Sequence, residues 1–228
     1  MEKKILQDAI RLKKEKKEFS IITDLNNSKN YIYQPNQKIS KDIEFFLEKI
    51  HNAFINRKNG ILPDTKIFVE NYHKPTHIVV VGAVHIAQYF CEFAKHLNFK
   101  ITIIDPRGYF ASAKRFPEVK VINKWPNEAL KEVLIDSNTA LIALTHDPKI
   151  DDPAIQIALK EKCFYIGALG SKNTHKNRCE RLQKSGFSKE ILSNIFGPIG
   201  IKLGGRSAPE IALSIIAQLV AEIYKKKA

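Results

Sequence analysis

The first 73 residues alternate between helical and strand patterns of hydrophobic positions. A narrow apolar stripe at helical spacing predicts a first helix over residues 2–17. Two strands joined by a polar turn follow, then a helix that Ser40 caps and Gly60 ends, and finally another short strand. The segments with these patterns are, in order, residues 19–25, 26–28, 31–33, 40–60 and 65–70. They predict a small α+β domain over residues 1–73, with a linker at residues 71–75.

From residue 74 onward, continuous apolar strands alternate with helical patterns. The predicted strands are residues 77–81, 101–104, 120–122, 139–144 and 164–166. The predicted helices are residues 86–97, one closing at 130–134, one starting at Asp152-Pro153, one over 172–184 and one opened by Ser207. Such alternation is typical of a parallel sheet with helices on both faces. We therefore predict an α/β protein with a Rossmann-type parallel-sheet domain over residues 74–228, preceded by the small α+β domain.

Three helix boundaries carry specific end signals. Asp152 followed by proline is typical of an N-cap with proline at the first helical position. Gly186 is expected to stop the helix over residues 172–184. Ser207 and Glu210 have the spacing of a capping box, in which each residue satisfies a free backbone N–H of the other.

The composition indicates an ordinary globular protein, with 44% hydrophobic and 9% aromatic residues. We expect no membrane span, because no apolar run approaches the roughly 18 residues that a span requires. The first residues have scattered charges and lack the apolar core of a secretion signal, so a cytoplasmic location is expected. Three widely spaced cysteines make a disulfide framework unexpected.

The net charge of +13 at first indicates a nucleic-acid partner. The excess is spread along the chain, however, with +5 through Pro75 and +8 after it. No helix-turn-helix, zinc finger or aromatic RNA-binding strand accompanies it, so we expect no nucleic acid. An acidic protein or a phosphorylated ligand accounts for the sign equally well.

Ligands of parallel α/β sheets bind beyond the carboxyl ends of the strands, so the first strand end is the first candidate. Gly82, Ala83 and His85 lie between the strand and a helix N-terminus, which attracts anions. The middle glycine of a dinucleotide fingerprint is replaced by Val84, and this side chain should obstruct a bound dinucleotide. The turn could instead serve the fold alone.

The second strand ends at Asp105, and Arg107 follows. An acidic residue at this place usually binds a ribose hydroxyl, and a nearby arginine suits a 2′-phosphate. Asp105 could also cap the following turn. We favour the orientation in which it faces a ligand.

The fourth strand is followed by Thr145, His146 and Asp147, and then by Asp151 and Asp152. Three carboxylates and a histidine in so short a segment suggest a divalent cation or acid–base chemistry. Because Asp152 is better explained as a helix cap, we expect ligand-binding residues here and no metal ion.

The fifth strand leads into a turn that contains Gly167, Gly170 and Ser171, followed by a basic helix. Glycines, a hydroxyl group and a helix N-terminus in this order form a phosphate cradle. The basic residues of the helix could belong to that cradle or to an ordinary solvated face. They are Lys172, His175, Lys176, Arg178 and Arg181.

Together these segments resemble the Rossmann domain of the XdhC/CoxI family, the maturation factors of molybdenum hydroxylases. The matching segments occur in the family's order and are Val81–Gln88, Ile103–Glu118, Leu144–Ile155, Phe164–Arg178 and Gly197–Ile215. The resemblance implies a cytoplasmic, homodimeric accessory protein rather than an enzyme. It would bind molybdenum cofactor, assist its sulfuration with a cysteine desulfurase, and deliver it to an apo-enzyme such as xanthine dehydrogenase.

Two departures from the family pattern limit what the resemblance carries over. The family usually has glycine where Val84 stands. Its N-terminal domain commonly has a glycine-rich stretch and a Gly-Cys-Val-Glu segment, whereas this chain has no cysteine before Cys91 and only Gly60 before Gly82. Among the cysteines, Cys179 lies among basic residues that would stabilise a thiolate, and is the one candidate sulfur carrier or cofactor ligand.

Two further functional classes remain open from the sequence. Gly82, Asp105 and Arg107 are compatible with an NAD(P)-dependent oxidoreductase, although Val84 argues against tight dinucleotide binding. The second class is a non-catalytic interaction protein, with a vestigial crevice and a basic docking surface.

Overall fold

The computed structural model describes residues 2–225, which divide into two compact units. The first consists of residues 2–74 together with Tyr224 and Lys225, and the second is Pro75–Ile223. Among the described residues, no helix is long and apolar enough to cross a membrane.

The first unit is built on an antiparallel sheet. Its strands are β1 (Phe19–Asp24), β2 (Lys29–Tyr33), β3 (Gly60–Ile61) and β4 (Ile67–Tyr72). Its helices are α1 (Lys3–Lys14), a 3-10 helix (Lys41–Phe46) and α2 (Leu47–Ile55). The strands lie in the order β2-β1-β4-β3. Alternate residues of β1 face opposite sides: Ile22 joins a core with Phe54 of α2, and Ile21 joins one with Leu12 of α1.

Three local features of this unit differ from the sequence prediction. Ser40 precedes the 3-10 helix, and its side chain makes no capping hydrogen bond. The following helix ends at Ile55, and Gly60 lies in β3 instead of ending the helix. β4 continues to Tyr72, so it occupies part of the expected linker.

The second unit has a six-stranded, wholly parallel sheet. Its strands are β5 (Thr76–Val81), β6 (Phe99–Ile104), β7 (Lys120–Ile122), β8 (Thr139–Ala143), β9 (Tyr165–Ala168) and β10 (Ile195–Phe196). Its helices are α3 (His85–Ala94), α4 (Pro126–Ala129), α5 (Pro148–Lys160), α6 (Lys172–Lys184), α7 (Lys189–Leu192) and α8 (Ala208–Tyr224). The spatial order is β10-β9-β8-β5-β6-β7, so the direction of winding reverses between β5 and β8.

Both faces of the parallel sheet are covered. Ile78 and Val80 of β5 pack in one core with α3 and α8, and Val79 and Val81 pack in another with α4 to α7. Burial on both sides explains why the strands are continuously apolar in sequence. The predicted fold class, a Rossmann-type α/β unit with a small α+β unit before it, is confirmed.

The sequence located some helix ends of the second unit correctly. α6 spans Lys172–Lys184 as predicted, and Gly186 adopts a φ of +95° just after it. Glu210 accepts a hydrogen bond from the backbone N–H of Ser207 at 2.9 Å, which is one arm of the predicted capping box.

Other predicted elements of this unit were wrong. α5 begins at Pro148 with Asp147 as its N-cap, so Asp152 and Pro153 lie inside the helix. α4 ends at Ala129 and does not reach residue 134. The short elements α7 and β10 were not predicted.

Candidate cofactor-binding crevice

The carboxyl ends of the four central strands lie level with one another. Val81 pairs with Ile104 of β6 and with Ala143 of β8, and Ala143 pairs with Ala168 of β9. The segments that follow these strands therefore meet at one edge of the sheet. The reversal between β5 and β8 places a topological switch point in the middle of that edge, where open α/β sheets bind ligands.

The Gly82 turn contacts the segment after β8. Gly82 has a φ of +111°, and a Cβ atom added there would lie 2.7 Å from Cγ2 of Thr145. Glycine is therefore required both for the backbone conformation and for the close approach. The structure thus brings the first and third predicted segments together.

The helix after this turn is not capped by its own N-cap side chain. α3 starts at His85, which is exposed, and the side chain of its N-cap residue, Val84, makes no capping hydrogen bond. The N–H groups of its first turn can therefore bind an anion. Val84 packs partly against the core shared by α3 and α8 and is only half-buried beside the turn.

Asp105 faces the protein, which differs from the ligand-facing orientation expected from the sequence. Its buried carboxylate accepts a hydrogen bond from the N–H of Ala83 at 2.7 Å. It also accepts three from Arg107, from the backbone N–H and Nε at 2.9 Å each and from Nη2 at 2.7 Å. Burial acts to raise the pKa of Asp105, but these hydrogen bonds outweigh it, and the pKa lies below its ordinary value. Since both oxygens are occupied, the arrangement does not favour a ribose contact.

Arg115 holds the Gly82 turn by hydrogen bonds, a role that the sequence analysis did not predict. Its Nη1 donates to the carbonyl oxygens of Ala83 and Phe110 at 2.8 and 2.7 Å, and Nη2 donates to Oε1 of Gln88 at 2.7 Å. No sequence pattern links Arg115 to a turn so far from it along the chain. The geometry of the turn therefore depends on two charged residues outside it.

The loop after β8 is organised by Asp151. This buried carboxylate accepts hydrogen bonds from Oγ1 of Thr145 at 2.6 Å and from the N–H groups of Thr145 and His146 at 3.2 and 3.1 Å. Burial raises the pKa of Asp151 in spite of these bonds. His146 is exposed and has a φ of +62°, and Asp147 caps α5 by accepting from the N–H of Lys149. Within residues 2–225, no group of three or more His, Cys, Asp or Glu side chains is placed to hold a metal ion.

The segment after β9 has mixed roles. Gly167 is a buried residue of β9, where an added Cβ would lie 2.4 Å from Cδ1 of Ile199, so packing explains it. Gly170 has a φ of +140°. Ser171 caps α6, since its Oγ accepts a hydrogen bond from the N–H of Thr174 at 3.1 Å. The side chain of Ser171 is exposed at the N-terminus of α6.

The basic residues of α6 do not form one solvated face. Lys172 and Lys176 are exposed, whereas Arg178 is only 2% exposed. Arg181 makes a bidentate ion pair with Asp152 of α5, at 2.6 and 3.1 Å. Two of the positive charges of α6, those of Arg178 and Arg181, therefore lie against carboxylates of α5.

Cys179 does not have the environment that its basic neighbours suggested. It is half-buried, and burial raises the pKa of its thiol although Arg178 acts in the opposite direction. Its sulfur lies 3.6 Å from Nε2 of His175. The structure therefore does not support a stabilised thiolate at this position.

The segment of the chain that contains this crevice matches the model of a protein family. The model of the XdhC Rossmann domain matches residues 78–219, more than half of the chain. The chain belongs to the XdhC family. The resemblance indicated by the sequence motifs is thereby confirmed, and all four strand ends lie inside the matched XdhC segment.

Two curated relatives match parts of the chain. The molybdenum cofactor insertion chaperone PaoD of Escherichia coli (strain K12) is 41% identical over 87 residues, which cover 38% of this chain and 27% of PaoD. A probable xanthine dehydrogenase subunit of Bacillus subtilis (strain 168) is 26% identical over 157 residues, which cover 68% of this chain and 46% of the relative. The matches therefore span less than half of either relative.

A solved structure shares the fold. The chain matches a structure described as a xanthine dehydrogenase from Bacillus halodurans with a TM-score of 0.76 and 21% sequence identity. The match covers 99% of this chain and 66% of that one. At this level of identity the likeness supports the XdhC fold assignment and nothing about activity.

Proposed function

We propose that this XdhC protein binds molybdenum cofactor and assists its insertion into a molybdenum hydroxylase of the xanthine dehydrogenase type. The observation that carries the proposal is that the crevice at the switch point lies wholly within the segment that defines the family. The likeness to PaoD, which is named as an insertion chaperone for this cofactor, supports it. We regard the cofactor as cargo and the chain as an accessory protein.

The chemistry of the crevice fits such cargo. Molybdenum cofactor is a pterin with a terminal phosphate, so a protein that holds it needs donors for an anion. The N-terminus of α3 offers backbone N–H groups beside the Gly82 turn. The exposed side chains of His85, His146 and Ser171 surround the same edge of the sheet.

We assign the candidate site residues to two groups. The residues proposed to face the cofactor are His85, Thr145, His146, Asp147, Gly170 and Ser171. The residues proposed to keep the crevice in shape are Gly82, Ala83, Asp105, Arg107 and Gly167, because their contacts are with protein. By resemblance to the family, we further propose a cysteine desulfurase partner for cofactor sulfuration, a homodimer and a cytoplasmic location.

Ser171→Asp is the variant that tests the proposal most sharply. Aspartate is as good an N-cap as serine, so α6 should remain intact, while the new negative charge should repel anionic cargo. Ser188→Asp is the matched control. Ser188 caps α7 in the same way, accepting from the N–H of Ile191, and α7 precedes β10 at the amino ends of the strands.

The measurement is the molybdenum and pterin content of the purified chain after co-expression with a molybdenum hydroxylase and cofactor biosynthesis. We expect both in the unmodified protein and in Ser188→Asp, with a loss of about tenfold or more in Ser171→Asp. Absence of pterin and molybdenum from the unmodified protein would overturn the proposal. If the two variants retained equal amounts of molybdenum and pterin, this crevice would not be the binding site of the cofactor.

A further inference from the structure

A small polar cavity lies between α5 and α6, next to the loop after β8. Its volume is about 110 Å³. A single buried water needs roughly 10–15 Å³ on this measure, so the cavity has room for a tetrahedral oxyanion. It is lined by His146, Pro148, Asp151, Asp152, Thr174, Asn177, Arg178 and Arg181.

One face of α6 supplies half of this lining. The four residues Thr174, Asn177, Arg178 and Arg181 follow the spacing of a helical stripe, and this stripe lines the cavity. Asn177 is exposed at the opening of the cavity, whereas Arg178 is buried.

Arg178 is the residue whose partners are incomplete. The side chain is only 2% exposed, and its Nη2 donates to the carbonyl oxygen of Leu169 at 2.9 Å. Nε and Nη1 are buried and have no hydrogen-bond partner among the described residues. A buried guanidinium with two unsatisfied nitrogens is costly unless hydrogen-bond acceptors complete it.

The carboxylates of the cavity do not complete it. Both oxygens of Asp152 are engaged by Arg181. Asp151 forms a buried ion pair with Arg178, with 4.0 Å between its Oδ2 and Nη2, but this distance is too long for a hydrogen bond. The hydrogen bonds that Asp151 accepts come from Thr145 and His146. Nε and Nη1 of Arg178 therefore have no acceptor among the described residues.

We infer that this cavity is an oxyanion site, in which Arg178 binds the terminal phosphate of the cargo. The inference rests on the proposed function for the identity of the cargo, and on the unsatisfied guanidinium for the class of ligand. The site is adjacent to the Ser171 N-cap, because the hydroxyl of Ser171 contacts Thr174, which lines the cavity. The pterin then occupies the crevice at the switch point, with His146 common to both sites.

Inorganic phosphate is the probe for this site, titrated calorimetrically into the full chain in a chloride buffer. Arg178→Gln should lose binding, but this residue is buried and the variant could fail to fold. Asn177→Asp is therefore the principal variant, because Asn177 is exposed at the cavity and the substitution adds a negative charge there. Asn173→Asp is the matched control, an exposed position on the same helix that does not line the cavity.

We expect saturable phosphate binding by the unmodified chain, retained in Asn173→Asp and weakened about tenfold or more in Asn177→Asp. Phosphate should also displace bound cofactor. No saturable binding, which is the result for a cavity that holds only water, would overturn the inference, as would equal binding by the two variants. If phosphate and Asn177→Asp leave cofactor loading unchanged, the inference fails while the proposed function stands. If phosphate binds as expected but no cofactor does, the proposed function fails, together with the assignment of this anion to it.

Discussion

At the scale of single residues, Asp105 determines the shape of the Gly82 turn. Its carboxylate joins the N–H of Ala83 to the side chain and backbone of Arg107, so two strand ends are held by one buried charge. The sequence located this residue, because an acidic residue commonly ends the second strand of such folds. The sequence could not give its orientation, which depends on how Arg107 folds back.

Asp105→Asn should lower the free energy of unfolding by about 2 kcal/mol at pH 7, because hydrogen bonds to a charged acceptor are replaced by weaker ones. The folded-state pKa of Asp105 is lowered, so its stabilisation is complete above the ordinary carboxyl pKa and is lost as the pH falls through the lowered value. Urea unfolding of both proteins at pH 7 and at pH 3 measures this. A difference in stability that stays constant or grows toward pH 3 would contradict the assignment.

At the scale of elements, the start of α5 shows how side-chain contacts outside the cap choose between two equal cap signals. The chain contains Asp147-Pro148 and Asp152-Pro153, and each pair is a good N-cap followed by proline. The earlier pair starts the helix, and Asp151 can then accept hydrogen bonds from Thr145 and His146. Those bonds join residues five and six positions apart and do not involve the cap residue itself, so the cap pattern alone could not make the choice.

The N-cap assignment for α5 is testable with two substitutions at one position. Asp147→Ala should destabilise the protein by about 1 kcal/mol, since the N–H of Lys149 loses its acceptor. Asp147→Asn should cost only a few tenths of a kcal/mol, because asparagine caps as well as aspartate. Chemical denaturation followed by circular dichroism gives both values. Equal losses would mean that the carboxylate charge matters more than the cap.

α6 shows what a helix pattern leaves undetermined. Its bounds were predicted correctly, because Ser171 and Gly186 are clear end signals. Its orientation was not, because polar residues occur all around it and no apolar stripe dominates. The burial of Arg178 could have been suspected only from its helical spacing with Thr174 and Arg181.

At the scale of the whole molecule, alternating apolar strands and helices were sufficient for the fold class. The central strands β5, β8 and β9 of the second unit are buried on both faces, so their continuously apolar pattern clearly indicates strands. The two-residue strands β3 and β10 carry too few positions for any periodicity. Site residues were located wherever they follow a strand, and were missed where, like Arg115, they act from elsewhere in the sequence.

The second unit should fold without the first. Its two hydrophobic cores draw only on residues from Ile78 onward, and the family match falls within the same stretch. A domain of about 150 residues buries enough surface to be stable alone. A chain of residues 75–225 is therefore expected to unfold cooperatively in urea. A matched chain of residues 75–207 lacks α8, whose Ile215 and Leu219 are fully buried, and it should not unfold cooperatively. Non-cooperative unfolding of the longer chain would show that these two cores are not sufficient.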